Sequence, residues 1–411
     1  MNNKSKTIER CQISKKKDLV KILSLGYLPP VNNYYPIKSK KSEETFFSAD
    51  LMYSKRSKLV QLSTIVNKEI IFPKNYPYTS STTKILRDNF HELYNECEKI
   101  LKFKKKDLVV DIGSNDGNLL SNFKKKYRVL GVTPEMIGKI AIKKGINTLL
   151  RYFDNATANL ILKKFGKAKL VTATNVFAHI DNVEEVMKNI IKILDKDGVF
   201  ISESHYLVSL IQTNQYDTIY HEHMRYYSLM SLQYLFEKYG LKIFFAKKIP
   251  THGGSIRVYV SKNKKYKTHS SVKKILHYEK KFFVEKTFDE FKKKVVNSKI
   301  DLYSLLKNLK SKNKLIFGVG APSRAATLVN YVGLNEDIIK YILEIKGSYK
   351  IGKYMPGTSI PIVDEKIIKK IKPDYLLLLS WHIAPSLIKN FKKIGFKGKF
   401  ILPLPKPHIV N

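Results

Sequence analysis

The residues best equipped for chemistry lie in Tyr220-His221-Glu222-His223. Imidazole titrates near neutrality, and a neighbouring carboxylate can orient it, so the natural reading is general base catalysis. A metal site reads less well. His-x-His sends its rings to opposite faces of a strand, or far apart on a helix, and no third ligand is nearby. A hydrogen-bonded polar loop is the bland alternative.

The second chemical stretch is Leu108 to Gly117, Leu-Val-Val-Asp-Ile-Gly-Ser-Asn-Asp-Gly. A short apolar run reads as a buried strand. It breaks at Gly113, and Leu119, Leu120 and Phe123 then fall at helical spacing. Strand, glycine turn and helix place a ligand at the carboxyl end of a strand in α/β folds. Asn118 stands where a P-loop needs Lys, and the spacing G-x-x-x-G is not the dinucleotide G-x-G-x-x-G. The form D-x-G-x-x-x-G resembles the first motif of class I S-adenosylmethionine (SAM)-dependent methyltransferases. A bland strand–helix turn is the competing reading.

These residues need elements to hold them. Strands are expected at Val129–Val132, Lys169–Thr174 and Val199–Ile201, with a helix through Val183, Val186 and Ile190. This alternation predicts a doubly wound α/β sheet with the ligand over its strand ends. A capped helix is expected after Tyr78 and its Ser/Thr run. Later, Leu315–Gly320 reads as a strand into G-x-G, a Rossmann-like start. It lacks the usual third glycine, and Glu344 is only a loose candidate for the acidic residue of a nicotinamide site.

Composition narrows the classes. The formal charge is +40, yet of 75 Lys and Arg only eight are Arg. Nucleic-acid sites favour the bidentate guanidinium, so no nucleic-acid partner is expected. The field would attract anionic small molecules instead. No apolar stretch approaches a membrane span, and the polar amino terminus shows no secretory signal. Two cysteines, Cys11 and Cys97, exclude a disulfide scaffold and suggest the cytoplasm. Cys11/Ser14 and Ser54/Ser57 form the skeleton of a paired C-x-x-C zinc site with three thiols replaced by Ser. Serine is not a competent zinc ligand, so no zinc is expected.

Taken in order, Tyr78, Asp111–Gly117, Asn175–His179, Tyr220–His223, His252–Arg257 and Gly318–Ser323 resemble the C-methyltransferases acting on nucleotide-linked 4-keto-deoxysugars. The resemblance spans nearly the whole chain. It implies a small amino-terminal zinc-type module (1–72), a SAM-binding domain (73–262), a helical connector (263–312) and a carboxy-terminal Rossmann-like domain (313–411). It implies SAM at Asp111, Gly113, Ser114, Asn115, Asp116, Gly117, Thr133, Pro134, Asn175, Val176 and Phe177. Thr133 stands where such enzymes usually carry a ribose-binding acid, with Glu135 two residues on.

By the same resemblance His223 is the base that makes an enolate, with Glu222 and Tyr220 beside it. Tyr78 and Tyr220 donate to the enolate oxygen. His179, His252, Gly254, Ser255 and Arg257 face the sugar, while Ser323 and Arg324 receive a phosphate. Methyl transfer to oxygen or nitrogen, a relict scaffold and an NAD-dependent oxidoreductase are the rival readings. The sugar, the nucleotide, the methylated carbon and the oligomeric state stay open.

Overall fold

The apolar run at Leu108 forms a wholly buried strand, Leu108–Ile112, near the middle of a seven-stranded sheet. A computed structural model describes residues 4–39, 43–72, 81 and 83–411. Strand Leu108–Ile112 lies parallel to Arg128–Val132 on one side and Ala168–Thr174 on the other. Leu194–His205 extends the parallel set, and Thr148–Leu149 ends it at the opposite edge. Two antiparallel strands, Ser255–Ser261 and Lys242–Ile249, close the first edge. Burial on both faces explains why these strands read as apolar runs rather than alternations.

Helix Val183–Ile193 starts where its sequence says it should. The Asn182 side chain accepts from the Glu185 N–H, and Glu184 and Glu185 occupy the positive first turn. Only the helix expected after Gly117 falls short: it is a single turn, Leu120–Phe123. Leu119, Leu120 and Phe123 are buried, but the chain must turn at once to enter the strand at Arg128.

The amino-terminal region is a β structure. Leu19–Leu28, Phe47–Ser54 and Val60–Leu62 form an antiparallel sheet, completed by Arg225–Tyr226. That last strand follows His223 directly, so the His-Glu-His segment is tied to this sheet. Two helices, Ser270–Phe282 and Glu285–Lys310, lead to a six-stranded sheet holding Ile316–Val319, five strands parallel and His408–Val410 antiparallel. One apolar core joins Leu25 and Leu51 of the first sheet, Phe291 and Leu302 of the long helix, and Leu328 and Ile342 of the last region. Among the described residues no helix is long and apolar enough to cross a membrane.

Candidate functional site

Gly113 leaves its strand with φ +74°, and a Cβ there would sit 2.7 Å from the Val176 side chain. Only glycine takes this backbone and this approach without strain. Its N–H and that of Ser114 both donate to the Val132 carbonyl, at 2.8 and 3.2 Å. Asn115 and Asn175 also hold positive φ, at 51° and 56°. The Ser114 hydroxyl is buried with no protein partner. An under-satisfied polar cradle over the ends of parallel strands suits a polar ligand such as SAM. Asp111, beneath the turn, accepts from Thr172 Oγ1 at 2.6 Å. Burial pushes its carboxyl up to about 7, with the Thr172 bond opposing.

Several expected cofactor residues face elsewhere. Thr133 is fully buried and its hydroxyl donates to Glu135, so Thr133 holds a carboxylate rather than offering a contact itself. Pro134 follows it, half-buried, at the strand end. Phe177 is buried against Phe200, Tyr227 and Phe236, a core residue. Buried Asp116 accepts from Lys144 Nζ at 3.2 Å, which ties the turn to the end of helix Gly138–Lys143.

The His-Glu-His segment is a loop, so the strand and helix geometries both fail to apply. His221 turns away, its Nε2 against the Ser48 carbonyl at 3.1 Å and its ring against Phe47. His223 turns inward. Its ring centroid lies 4.2 Å from Tyr220 and 4.9 Å from His179. Its Nδ1 lies 2.9 Å from the Thr218 carbonyl, so that nitrogen carries the proton and donates. Nε2 is left with the lone pair, as a base requires. Burial, then the His179 ring, holds the imidazole well below its usual value. Burial, then Glu222, pushes the Tyr220 phenol well up, so it remains a donor. Glu222 accepts from Asn32 Nδ2 at 2.7 Å, and Asn32 accepts from Ser323 Oγ at 3.2 Å. This chain links three regions at one place. Tyr78 lies outside the described residues.

His179 is held neutral at about 4 by burial, and its Nδ1 is buried with no partner. His252 sits at φ 55° in a tight turn. Packing around its imidazole lowers its pKa, with Glu203 opposing and Arg324 adding to the shift. Gly254, in the same turn, donates to Thr251 and accepts from Tyr206.

Three other substrate expectations do not fit. Arg257 is fully buried, bonded to Glu203 at 2.8 Å, Glu96 at 2.7 Å and Asn89 at 2.7 Å. Arg324 makes a bidentate pair with Asp217, both bonds 2.7 Å. Ser255 is buried and donates to the Thr251 carbonyl. A guanidinium saturated by carboxylates offers little to a phosphate. In the last sheet, Glu344 does end a strand, but its carboxylate accepts from the Ala321 N–H at 2.7 Å.

At the zinc skeleton, Cys11 Sγ lies 3.1 Å from Ser57 Oγ, Ser57 donates to Ser54 at 2.9 Å, and Ser54 donates to Asp18 at 2.8 Å. The Ser14 N–H points at Cys11 Sγ. The Cys11 thiol and the Asp18 carboxylate are the competent donors named here, the Ser57 and Ser54 hydroxyls are bonded in series between them, and the Ser14 hydroxyl accepts from the Lys16 N–H, so the set does not fit zinc, which takes several thiolate, imidazole or carboxylate ligands.

The sheet and its glycine cradle define a class I SAM-dependent methyltransferase. Family models agree: a methyltransferase domain matches residues 84–244, a C-methyltransferase C-terminal domain matches 250–405, and a "Putative zinc binding domain" matches 11–72. The C-methyltransferase NovU of Streptomyces niveus is 30% identical over 410 residues, 98% of this chain and 97% of that protein. The chain belongs to this C-methyltransferase family, and it is a SAM-dependent enzyme. Solved structures align more loosely. A SAM-dependent methyltransferase from Clostridium acetobutylicum is 16% identical over 44% of this chain and 93% of its own, with TM-score 0.34. Magnesium protoporphyrin IX methyltransferase from Synechocystis is 12% identical over 43% of this chain and 83% of its own, with TM-score 0.35.

Proposed function

We propose that the chain methylates the carbon adjacent to the ketone of a nucleotide-linked deoxysugar. The observation that carries this is His223: a neutral imidazole, fixed in one tautomer by the Thr218 carbonyl, with its Nε2 lone pair available. A ketone acidifies the neighbouring C–H. His223 Nε2 takes that proton, and the electron pair moves onto the ketone oxygen as an enolate. Tyr220 keeps its proton and can donate where this charge develops. SAM, when bound, supplies an electrophilic methyl group; Gly113, Ser114, Asn115 and Asn175 are the residues to hold it, with Asp111 below and Glu135 at the next strand end. A positioned base is worth roughly 10²–10⁴ in rate.

The same reading makes the anionic nucleotide sugar the partner, with neither nucleic acid nor membrane required. It places the enzyme in the cytoplasm, where the free buried thiols Cys11 and Cys97 suit a reducing environment. It also takes the amino-terminal module as folding without zinc, on its hydrogen-bonded Cys11–Ser57–Ser54–Asp18 chain. One equivalent of zinc in purified protein, or melting on addition of a chelator, would contradict that part.

The test is calorimetric titration with S-adenosylhomocysteine, alone and with a thymidine-diphosphate-linked 4-ketosugar, followed by product mass. Binding of both, and a mass gain of one methyl group on a non-exchanging carbon, is the expected result. Cofactor binding with methylation of oxygen or nitrogen would move the reading to those acceptors.

A further inference from the structure

Strand Leu194–His205 ends at the same carboxyl edge of the sheet as the glycine turn, and its last residue is a histidine. His205 is partly buried, and its Nε2 is fully buried with no protein partner. A buried ring nitrogen without a partner is costly unless something fills it. The neighbours are those of the site. His205 lies within electrostatic range of His223, His252 and the Arg324 guanidinium.

Its orientation is built. Gln215 lies against the ring, and since its amide hydrogens go to Thr213 and the Gly253 carbonyl it offers the ring only Oε1, so the ring is the donor. With Nε2 unpartnered, the donor is Nδ1–H. Gln215 is itself fixed, donating to the Gly253 carbonyl at 2.7 Å and to Thr213 at 2.6 Å, and accepting from Arg324 at 3.3 Å. A Cβ on Gly253 would fall 2.2 Å from Gln215 Oε1, so the glycine lets this amide approach. Burial, then Arg324, holds His205 neutral down to about 3. His205 therefore presents a lone pair and is not a proton shuttle near neutrality.

We propose that His205 is a further substrate-binding residue, whose Nε2 accepts a hydrogen bond from a hydroxyl or amino group on the sugar ring and so fixes which carbon faces His223. This rests on the ketosugar reading above. Arg324, bonded to Asp217 and Gln215, then acts by positioning this wall rather than by binding phosphate.

The experiment compares wild type, His205→Ala and His205→Gln on a thymidine-diphosphate-linked 6-deoxy-4-ketohexose and on its 2-deoxy and 3-deoxy analogues. S-adenosylhomocysteine titration and imidazole ¹⁵N spectra of the wild type, with and without the sugar nucleotide, run alongside. Expected are a loss of tenfold or more in kcat/KM for His205→Ala, partial rescue by Gln, unchanged S-adenosylhomocysteine affinity, and a smaller loss on one deoxy analogue. The His205 Nε2 resonance should shift on adding the sugar, which tests the contact even if His205→Ala fails to fold. Kinetics within twofold of wild type on all three sugars, or an unmoved resonance beside bound sugar, overturns the proposal. A wild type that binds S-adenosylhomocysteine but neither binds nor methylates any of the sugars overturns the ketosugar reading, and this inference with it.

Discussion

At the residue scale, the proposed base is defined by what surrounds it. His223 faces the rings of Tyr220 and His179, the Thr218 carbonyl, and more distantly His205 and His252. Burial and three imidazoles disfavour its cation, and only the carbonyl supports it. A base works unprotonated, so activity falls as pH drops through its pKa. With that pKa depressed, the acid limb of kcat/KM should lie below the ordinary histidine value of about 6.5. His223→Ala should lose roughly 10²–10⁴ in kcat with little change in S-adenosylhomocysteine affinity. A limb at or above the ordinary value, or near wild-type turnover in the variant, would falsify the assignment. His223 could be singled out in the sequence because a His-Glu-His segment beside Tyr220 gathers acid–base groups in four residues. His205 could not, because Ser-His-Tyr at a strand end carries no motif, and its orphaned nitrogen exists only once Gln215 has folded against it.

At the element scale, the strands were legible and the partners of their charges were not. The apolar runs at Leu108 and Val199 gave the parallel sheet directly, since burial on both faces leaves a continuous signal. The short turn at Leu120–Phe123 was misread because periodicity cannot show how soon the next strand must begin. Arg257 looked available for substrate because Glu203 and Glu96 are distant in sequence. In the fold, Arg257 and Glu203 face each other across antiparallel strands, and Asn89 Nδ2 also donates to Glu203 at 2.8 Å. This network clamps the helix Lys84–Ile100 onto the sheet across the strands of Arg257 and Glu203. Removing one member leaves the other charges buried and uncompensated. Arg257→Met should therefore destabilise the fold by about 3–5 kcal/mol, read from urea denaturation. A cost below about 1 kcal/mol together with a raised KM for the sugar nucleotide would return Arg257 to substrate binding. Gly113→Ala tests the neighbouring turn: with φ +74° and Val176 in the way, it should lose S-adenosylhomocysteine binding by more than tenfold in titration.

At the scale of the whole molecule, 75 Lys and Arg stand against 35 Asp and Glu. The arginines named at the site are bonded to carboxylates, so close pairing to phosphate is not where this excess acts. It acts through the summed field, which raises the encounter rate of anions and is screened over about 10 Å at 0.1 M salt. A sugar nucleotide carries a diphosphate, whereas SAM carries a sulfonium beside its zwitterionic amino acid and so gains nothing from a positive field. On the proposed function, SAM and the sugar nucleotide should respond differently. Raising sodium chloride from about 0.02 to 0.5 M should lower kcat/KM for the sugar nucleotide by roughly tenfold, the lower end of steering effects. The value for SAM should hold or rise. Equal responses to salt would mean that the lysines serve only the protein's own surface, and that capture of the anion depends on contacts within the cleft.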